Sequence, residues 1–283
     1  MHSDPDDDDD SLFGADSTND VAAYTNEDPR DDVPIASRTA PGIPGLFFFP
    51  DLLSRELHDR VLQQVSACGY FAVTDEAGNS SKADCNRTES YARSSRNQAM
   101  LFARSLASSS DTMPGAPPSA GDSSCSGLPA WALDLIHDLQ HLLIAQPEHY
   151  LPQSVKHLLF PSDQLRSRQL ILNLYAGAEG LSPHVDLVNR FADGIILCSF
   201  GPQGTGTVMD FTHERQASEH LFLPSGSVVV LSGQARYDWK HGISARDMDR
   251  VRAFDGSVDE LKRSIRLSVT IRSMLPGADI VGE

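Results

Sequence analysis

Apolar and polar positions repeat with two different periods along this chain. In "LFFFPDLLSRELHDRVLQQV", a short strand beginning near Gly45 runs into a helix with Ser54 at its N-cap and Glu56 in its first turn. Leu57, Val61, Leu62 and Val65 share one face of that helix. A second helix is predicted from about Pro129, with Ala132, Leu135, Ile136, Leu139 and Leu143 along one side. From residue 168 the period falls to that of a strand. Short runs at 169–175, 195–200, 206–211, 226–232 and 265–273 are separated by turn residues such as Gly177, Gly180, Pro183, Gly201, Pro202, Gly204, Pro224 and Gly226. Helices first and evenly spaced short strands afterwards predict an α+β chain, an antiparallel barrel or sandwich covered by helices from the N-terminal half.

Charge changes where the folded part begins. The net charge is −16, but residues 1–32 hold twelve acids and one base, a net −11, which leaves −5 for residues 33–283. Residues 1–40 are acidic and poor in large apolar groups, so they are expected to be disordered: a solubilising tail, or an element that binds a protein partner. Residues 107–127, "ASSSDTMPGAPPSAGDSSCSG", read as a flexible insertion in a single domain spanning 41–283. Without a net basic field, tight composition-driven DNA binding is excluded. Cysteines at 68, 85, 125 and 198 form no CxxC pair, so neither a disulfide framework nor a closed zinc site is expected. The acidic start predicts no secretory leader, and no long apolar run predicts a membrane span. An intracellular protein, cytoplasmic or nuclear, is the default.

The candidate chemistry lies on the strands. In "RLSVTIR" (266–272), Arg266, Ser268, Thr270 and Arg272 face one way and Leu267, Val269 and Ile271 the other. Asn173 and Tyr175 oppose Leu172 and Leu174 in the same manner. In a barrel such polar faces line a cavity; in an open sheet they face solvent, with the arginines in surface ion pairs. In "SPHVDL", His184 and Asp186 are two apart and project to one side of a strand, where they could chelate a divalent metal. With ten histidines in the chain, about one such pair is expected by chance. His241, in "RYDWKHGI", is a candidate third ligand. Two histidines and one carboxylate form the facial triad of non-haem Fe(II) oxygenases, and zinc is the competitor. No glutamate stands beside these ligands as the base of an HExxH-type hydrolase would.

Asn173-Leu-Tyr175, His184-Val-Asp186, His241 and Arg266-x5-Arg272 occur in one order. So arranged, they resemble the AlkB-like family of Fe(II)/2-oxoglutarate dioxygenases. "LILNLYAGAEGLSPHVDL" is similar to that family's metal-pair segment, and "LPSGSVVVLSGQARYDWKHGI" to its distal-histidine segment with the Gly-x-x-Arg before it. "FFPDLLSRELHDRVLQQV" and "NQAMLF" are similar to family segments upstream. The resemblance implies a double-stranded β-helix, or jelly roll, with helices on one side. It implies iron on His184, Asp186 and His241, and 2-oxoglutarate on Asn173, Tyr175 and Arg266. Arg266 would meet the distal carboxylate, and Arg272 would steady Asp186 or the chelating carboxylate. The implied reaction consumes 2-oxoglutarate and O2, releases succinate and CO2, and oxidises a substrate C–H; hydroxylated N-methyl groups then lose formaldehyde. Where the family often has Asn two residues after the first arginine, this chain has Ser268, which predicts weakened co-substrate binding without its loss.

Two segments expected beside the site are locally basic. Residues 82–105 carry Lys82, Arg87, Arg93, Arg96 and Arg104 against Asp84 and Glu89. Residues 236–252 carry Arg236, Lys240, Arg246, Arg250 and Arg252 against Asp238, Asp247 and Asp249. Tyr91, Tyr237 and Trp239 interleave with them and could stack on a base, unless they are core aromatics and the arginines pair with nearby acids. An anionic substrate is favoured: a modified nucleic-acid base, RNA before DNA because no duplex-gripping basic surface is evident. The rivals are the same chemistry on a methylated protein side chain, and a non-catalytic jelly-roll binding protein.

Overall fold

The computed structural model describes residues 33–74, 80–82, 97–103, 127–161 and 167–278. The acidic residues 1–32, nearly all of the 107–127 insertion, and Arg87, Tyr91, Arg93, Arg96 and Arg104 lie outside the described residues. In chain order the elements are β1 (Ile35–Ala36), β2 (Leu46–Phe49), α1 (Arg55–Cys68), β3 (Ala72–Thr74), β4 (Ser80–Lys82), β5 (Gln98–Ala103), α2 (Ala130–Ile144) and α3 (Gln153–Leu159). Then come β6 (Arg168–Tyr175), β7 (Leu181–His184), β8 (Phe191–Phe200), β9 (Gly206–His213), β10 (Gln216–Pro224), β11 (Val228–Leu231) and α4 (Gly233–Tyr237). The last are β12 (Lys240–Ile243), β13 (Met248–Arg252), β14 (Val258–Lys262) and β15 (Arg266–Met274).

The two-residue period sorts side chains between two faces of the major sheet, whose strand order is β2-β11-β8-β15-β6-β5. Its outer face is apolar. Leu170, Leu172, Leu174, Ile196, Cys198, Val228, Val230, Leu267, Val269 and Ile271 pack in one cluster with α1, α2 and α3. From α1 come Leu57, Val61, Leu62 and Val65, and from α2 Ala132, Leu135, Leu139 and Leu143. Burying each large aliphatic side chain contributes about 1.5–3 kcal/mol relative to exposure, so the amphipathic stripes seen in the sequence are what hold the helices down. Helix α1 starts as expected: the Leu57 amide donates to Ser54 Oγ at 3.3 Å. It ends at Gly69, where φ is 66°.

The minor sheet runs β10-β9-β12-β7. Its Met209, Phe211, Leu221 and Leu223 meet Ile195, Val229 and Leu231 of the major sheet in a second cluster, which also holds Leu46 and Trp239. The two antiparallel sheets thus face each other as a jelly roll, with the helices on one side. The outer face of the minor sheet is covered by β1-β13-β14, through Ala36, Val208, Phe222 and Val251.

The expected strands are present, with ends moved by a few residues, and the alternating pattern missed five others in the C-terminal half. Strand β7 is four residues long and contains proline. The first half of β10 is exposed and polar. The β13–β14 hairpin is mostly charged, because it is an outer layer. Its fully buried Asp249 accepts from Arg263 Nε and Nη2 at 2.8 and 2.9 Å, from Arg246 Nε at 2.7 Å and from the Val208 amide at 3.1 Å. Among the described residues no helix is long and apolar enough to cross a membrane.

Candidate metal and co-substrate centre

Strand pairing brings the predicted ligands together. Strands β7 and β12 are antiparallel with His184 opposite His241, and their ring centroids are 4.7 Å apart. Asp186 follows β7 by two residues, and its Oδ2 lies 3.7 Å from His241 Nε2. One ligand atom from each of the three residues falls within 4.8 Å of the others. His184 Nδ1 faces the Ser182 carbonyl at 2.9 Å. A proton on Nδ1 would donate there and leave the Nε2 lone pair free.

The electrostatics suit a cation. Burial, then the His184 ring and the Arg236 guanidinium, push the His241 pKa down to about 3. Burial and Arg272 lower that of His184. Both imidazoles are therefore neutral, the form that binds a metal. Asp186 Oδ2 and His241 Nδ1 are buried and lack a hydrogen-bond partner, a state that costs free energy unless something satisfies them. A divalent ion among the three ligand atoms would supply the partner that Oδ2 lacks, so the donor set fits the facial-triad chemistry.

Two buried arginines hold Asp186 in place. Arg272 donates through Nη1 to Asp186 Oδ1, and through Nε and Nη2 to Gln169 Oε1 at 3.1 and 2.7 Å. Its guanidinium sits 3.9 Å from the Phe191 ring centroid, and burial lowers its pKa to about 10. Arg236, 1% exposed, donates to the carbonyls of Asp186, Leu187 and Phe191 at 2.9, 3.3 and 3.4 Å. The sequence pattern left Gln169 out of the site and gave Arg236, the arginine of the Gly-x-x-Arg, no role at the ligands. Gln169 could have been found, since it shares a face with Asn173 and Tyr175 in the alternation of β6.

The predicted co-substrate residues also share one face. Register places Arg266 opposite Tyr175, Ser268 opposite Asn173, and Arg272 opposite Gln169. Arg266 and Arg272 are each 8% exposed and Ser268 is 7% exposed, so the polar face is interior, not a solvated surface. Arg266 meets Ser199 Oγ at 3.4 Å and lies 4.7 Å from the Tyr175 ring centroid. Among the described residues no carboxylate pairs with it. Burial lowers the Arg266 pKa and raises that of Tyr175, whose phenol also meets Ser268 and Asn173. The Gln98 amide donates to Asn173 Oδ1 at 2.7 Å. Tyr175 and Arg266 line a shallow cleft walled by Thr207, Ile243 and Ser264.

Within the second basic segment Arg236 and Arg246 are drawn inward, while Lys240 and Arg252 are exposed. Arg236 is spent on backbone carbonyls, and Arg246 is spent on Asp249. Trp239 is 2% exposed in the inter-sheet core. Tyr237 remains partly exposed, with the Arg236 guanidinium 4.8 Å from its ring centroid.

Gly242 is needed for the two histidine strands to pair. A Cβ there would lie 2.8 Å from the Leu181 carbonyl oxygen and from the backbone of Pro183, and backbone atoms cannot swing aside. We expect Gly242→Ala to push β7 from β12 and separate His184 from His241. Mn(II) binding followed by electron paramagnetic resonance should weaken by about tenfold or more, and unchanged affinity would show that the strand spacing does not set the ligand geometry.

The family model of the 2OG-Fe(II) oxygenase superfamily matches residues 45–272. The tRNA (carboxymethyluridine(34)-5-O)-methyltransferase alkbh8 of Xenopus tropicalis is 36% identical over 117 residues, which cover 38% of this chain and 18% of that protein. An Arabidopsis thaliana protein named "Alkylated DNA repair protein ALKBH8 homolog" is 32% identical over 138 residues, covering 41% of this chain and 38% of that one. The chain therefore spans well under half the length of these relatives. Among solved structures, a Pseudomonas putida prolyl-4-hydroxylase aligns over 82% of this chain and 93% of its own, with 11% identity and a TM-score of 0.41.

Proposed function

Since the chain belongs to the 2OG-Fe(II) oxygenase superfamily, we propose that His184, Asp186 and His241 hold its iron, that Asn173, Tyr175, Arg266 and Arg272 serve its 2-oxoglutarate, and that it oxidises a modified nucleic-acid base. The enzyme is a 2-oxoglutarate-dependent dioxygenase that uses Fe(II), 2-oxoglutarate and O2. Bound iron supplies the oxidising chemistry, in which 2-oxoglutarate becomes succinate and CO2 and a substrate C–H is oxidised. The protein's own part is positioning. Arg266, a buried cation with no carboxylate in ion-pair contact among the described residues, binds the distal carboxylate, and Tyr175 and Asn173 orient it from the neighbouring strand. Arg272 and Arg236 fix the carboxylate and the backbone of Asp186, so the third ligand points inward before iron arrives. The observation that carries this reading is the triad of the minor sheet meeting, through the Arg272–Asp186 pair, the interior face of β15 that also carries Arg266.

The base assignment draws on two further points. Two of the matching relatives are named for a tRNA nucleoside and for alkylated DNA. Exposed apolar groups lie next to Asp186 in the chain: Leu187 and Val188 directly follow it and are 46% and 56% exposed. Met100 and Phe102 on β5, in register with Ile171 and Gln169, are 45% and 39% exposed. An unstacked base lies well against such groups. RNA is preferred to DNA, because the described surface offers no basic duplex grip. Fe(II) and 2-oxoglutarate are added to the protein without oxygen, then O2 and total RNA or DNA, and nucleosides are measured by mass spectrometry. The expected result is loss of one modified nucleoside, dependent on 2-oxoglutarate. Consumption of a methylated protein side chain with every nucleoside unchanged would replace the substrate assignment.

A further inference from the structure

Helix α2 carries a second pair of converging histidines, far from the centre described above. Its inner side, Ala132, Leu135, Leu139 and Leu143, packs on the outer face of the major sheet. His137 and His141 stand on its exposed side, so a helix and a sheet separate them from the triad. Residues four apart on a helix are neighbours, but adjacency alone does not aim two rings at one point. Here His137 Nε2 and His141 Nε2 are 3.1 Å apart, while the ring centroids are 4.4 Å apart with planes inclined at 77°. The nitrogens are closer than the rings that carry them, so they are the inward tips of a fork.

The separation of the tips can be tested against metal geometry. A zinc ion bound to imidazole at 2.0–2.1 Å, placed on two nitrogens 3.1 Å apart, would subtend an angle of roughly 95–102°. That lies between the octahedral and tetrahedral angles. The neighbouring Asp138 is engaged by Arg60. Asp134, one turn earlier on the same side, is exposed as well. The geometry points to a divalent transition-metal site on α2, formed by His137 Nε2 and His141 Nε2, for the borderline ions that favour imidazole, zinc among them. Two protein ligands leave further positions for water, which makes the site exchangeable and distinct from the three-ligand iron centre.

The test uses the full-length, untagged chain, stripped of metal and titrated with Zn(II) in a calorimeter. Two classes of site are expected, one at the triad and one on α2. His137→Gln/His141→Gln should remove one class and leave succinate formation with Fe(II) unchanged, which also reports that the variant is folded. Changing His141 alone to Gln should raise the dissociation constant of that class about a hundredfold, because the second imidazole acts intramolecularly on a rigid helix. Retention of both classes by the double variant would overturn the proposal. So would a wild-type titration with a single class that disappears in Asp186→Ala, since the fork would then be only a hydrogen bond between two histidines.

Discussion

Asp186→Ala should reduce succinate formation to background while leaving a folded protein. The substitution removes the only acid of the triad, and two neutral imidazoles remain opposite each other on β7 and β12. Iron would lose a ligand and the neutralising charge together. Arg272 would lose the anion at its Nη1 but keep Gln169 at two nitrogens and Phe191 beneath it. Breaking a buried pair on one side typically costs about 3–5 kcal/mol, and these remaining contacts should hold the loss near the lower end. Asp186→Asn separates the two effects: the shape is kept and the charge removed, so iron binding should fall with a smaller drop in melting temperature. The measurement is 2-oxoglutarate turnover beside anaerobic Fe(II) binding. Undiminished turnover in Asp186→Ala would remove the whole triad from its assigned role.

Much of this site could be read from one property of strands. Alternation placed Arg266, Ser268 and Arg272 on one face and Leu267, Val269 and Ile271 on the other. The structure keeps that division, with the apolar set under the helices and the polar set inside the jelly roll. Whether the polar face met solvent or a cavity was not legible, because that depends on a second sheet whose strands β7, β12 and half of β10 are short or polar. Arg236 was missed for a different reason. Its partners are three backbone carbonyls, and carbonyls leave no trace in a sequence, so charge counting assigned it to the substrate surface. Arg246 and Arg263 were hidden likewise: Asp249 neutralises them from inside an outer hairpin that looks like solvated charge. Ser268, read as a weakened contact, stands opposite Asn173 and Ser199 in the sheet and meets the Tyr175 phenol. The shorter side chain is thus part of a polar network that reaches Gln98.

Arg266 offers the sharpest separation of function from fold, since one substitution should move them in opposite directions. An arginine kept for structure is paired in the resting protein, and truncating it lowers stability. Arg266 is buried, contacts one serine hydroxyl and one ring, and has no carboxylate partner among the described residues. Its desolvation is therefore only partly offset, by Tyr175 and the more distant Asp249, until an anion binds. Arg266→Met fills a similar length without the charge, so the free protein should melt at the same temperature or higher. Binding of 2-oxoglutarate should weaken, because a buried, hydrogen-bonded charge pair is worth about 2–5 kcal/mol when one partner is truncated. That range corresponds to a loss of roughly 30-fold to several thousandfold in affinity. Arg266→Lys keeps a point charge but not the planar fork, and should fall between the two. Thermal melts with and without 2-oxoglutarate, in the presence of Mn(II), read both effects at once, since a ligand stabilises only in proportion to its occupancy. If Arg266→Met melts lower and binds 2-oxoglutarate normally, the guanidinium supports the sheet and the distal carboxylate has another partner.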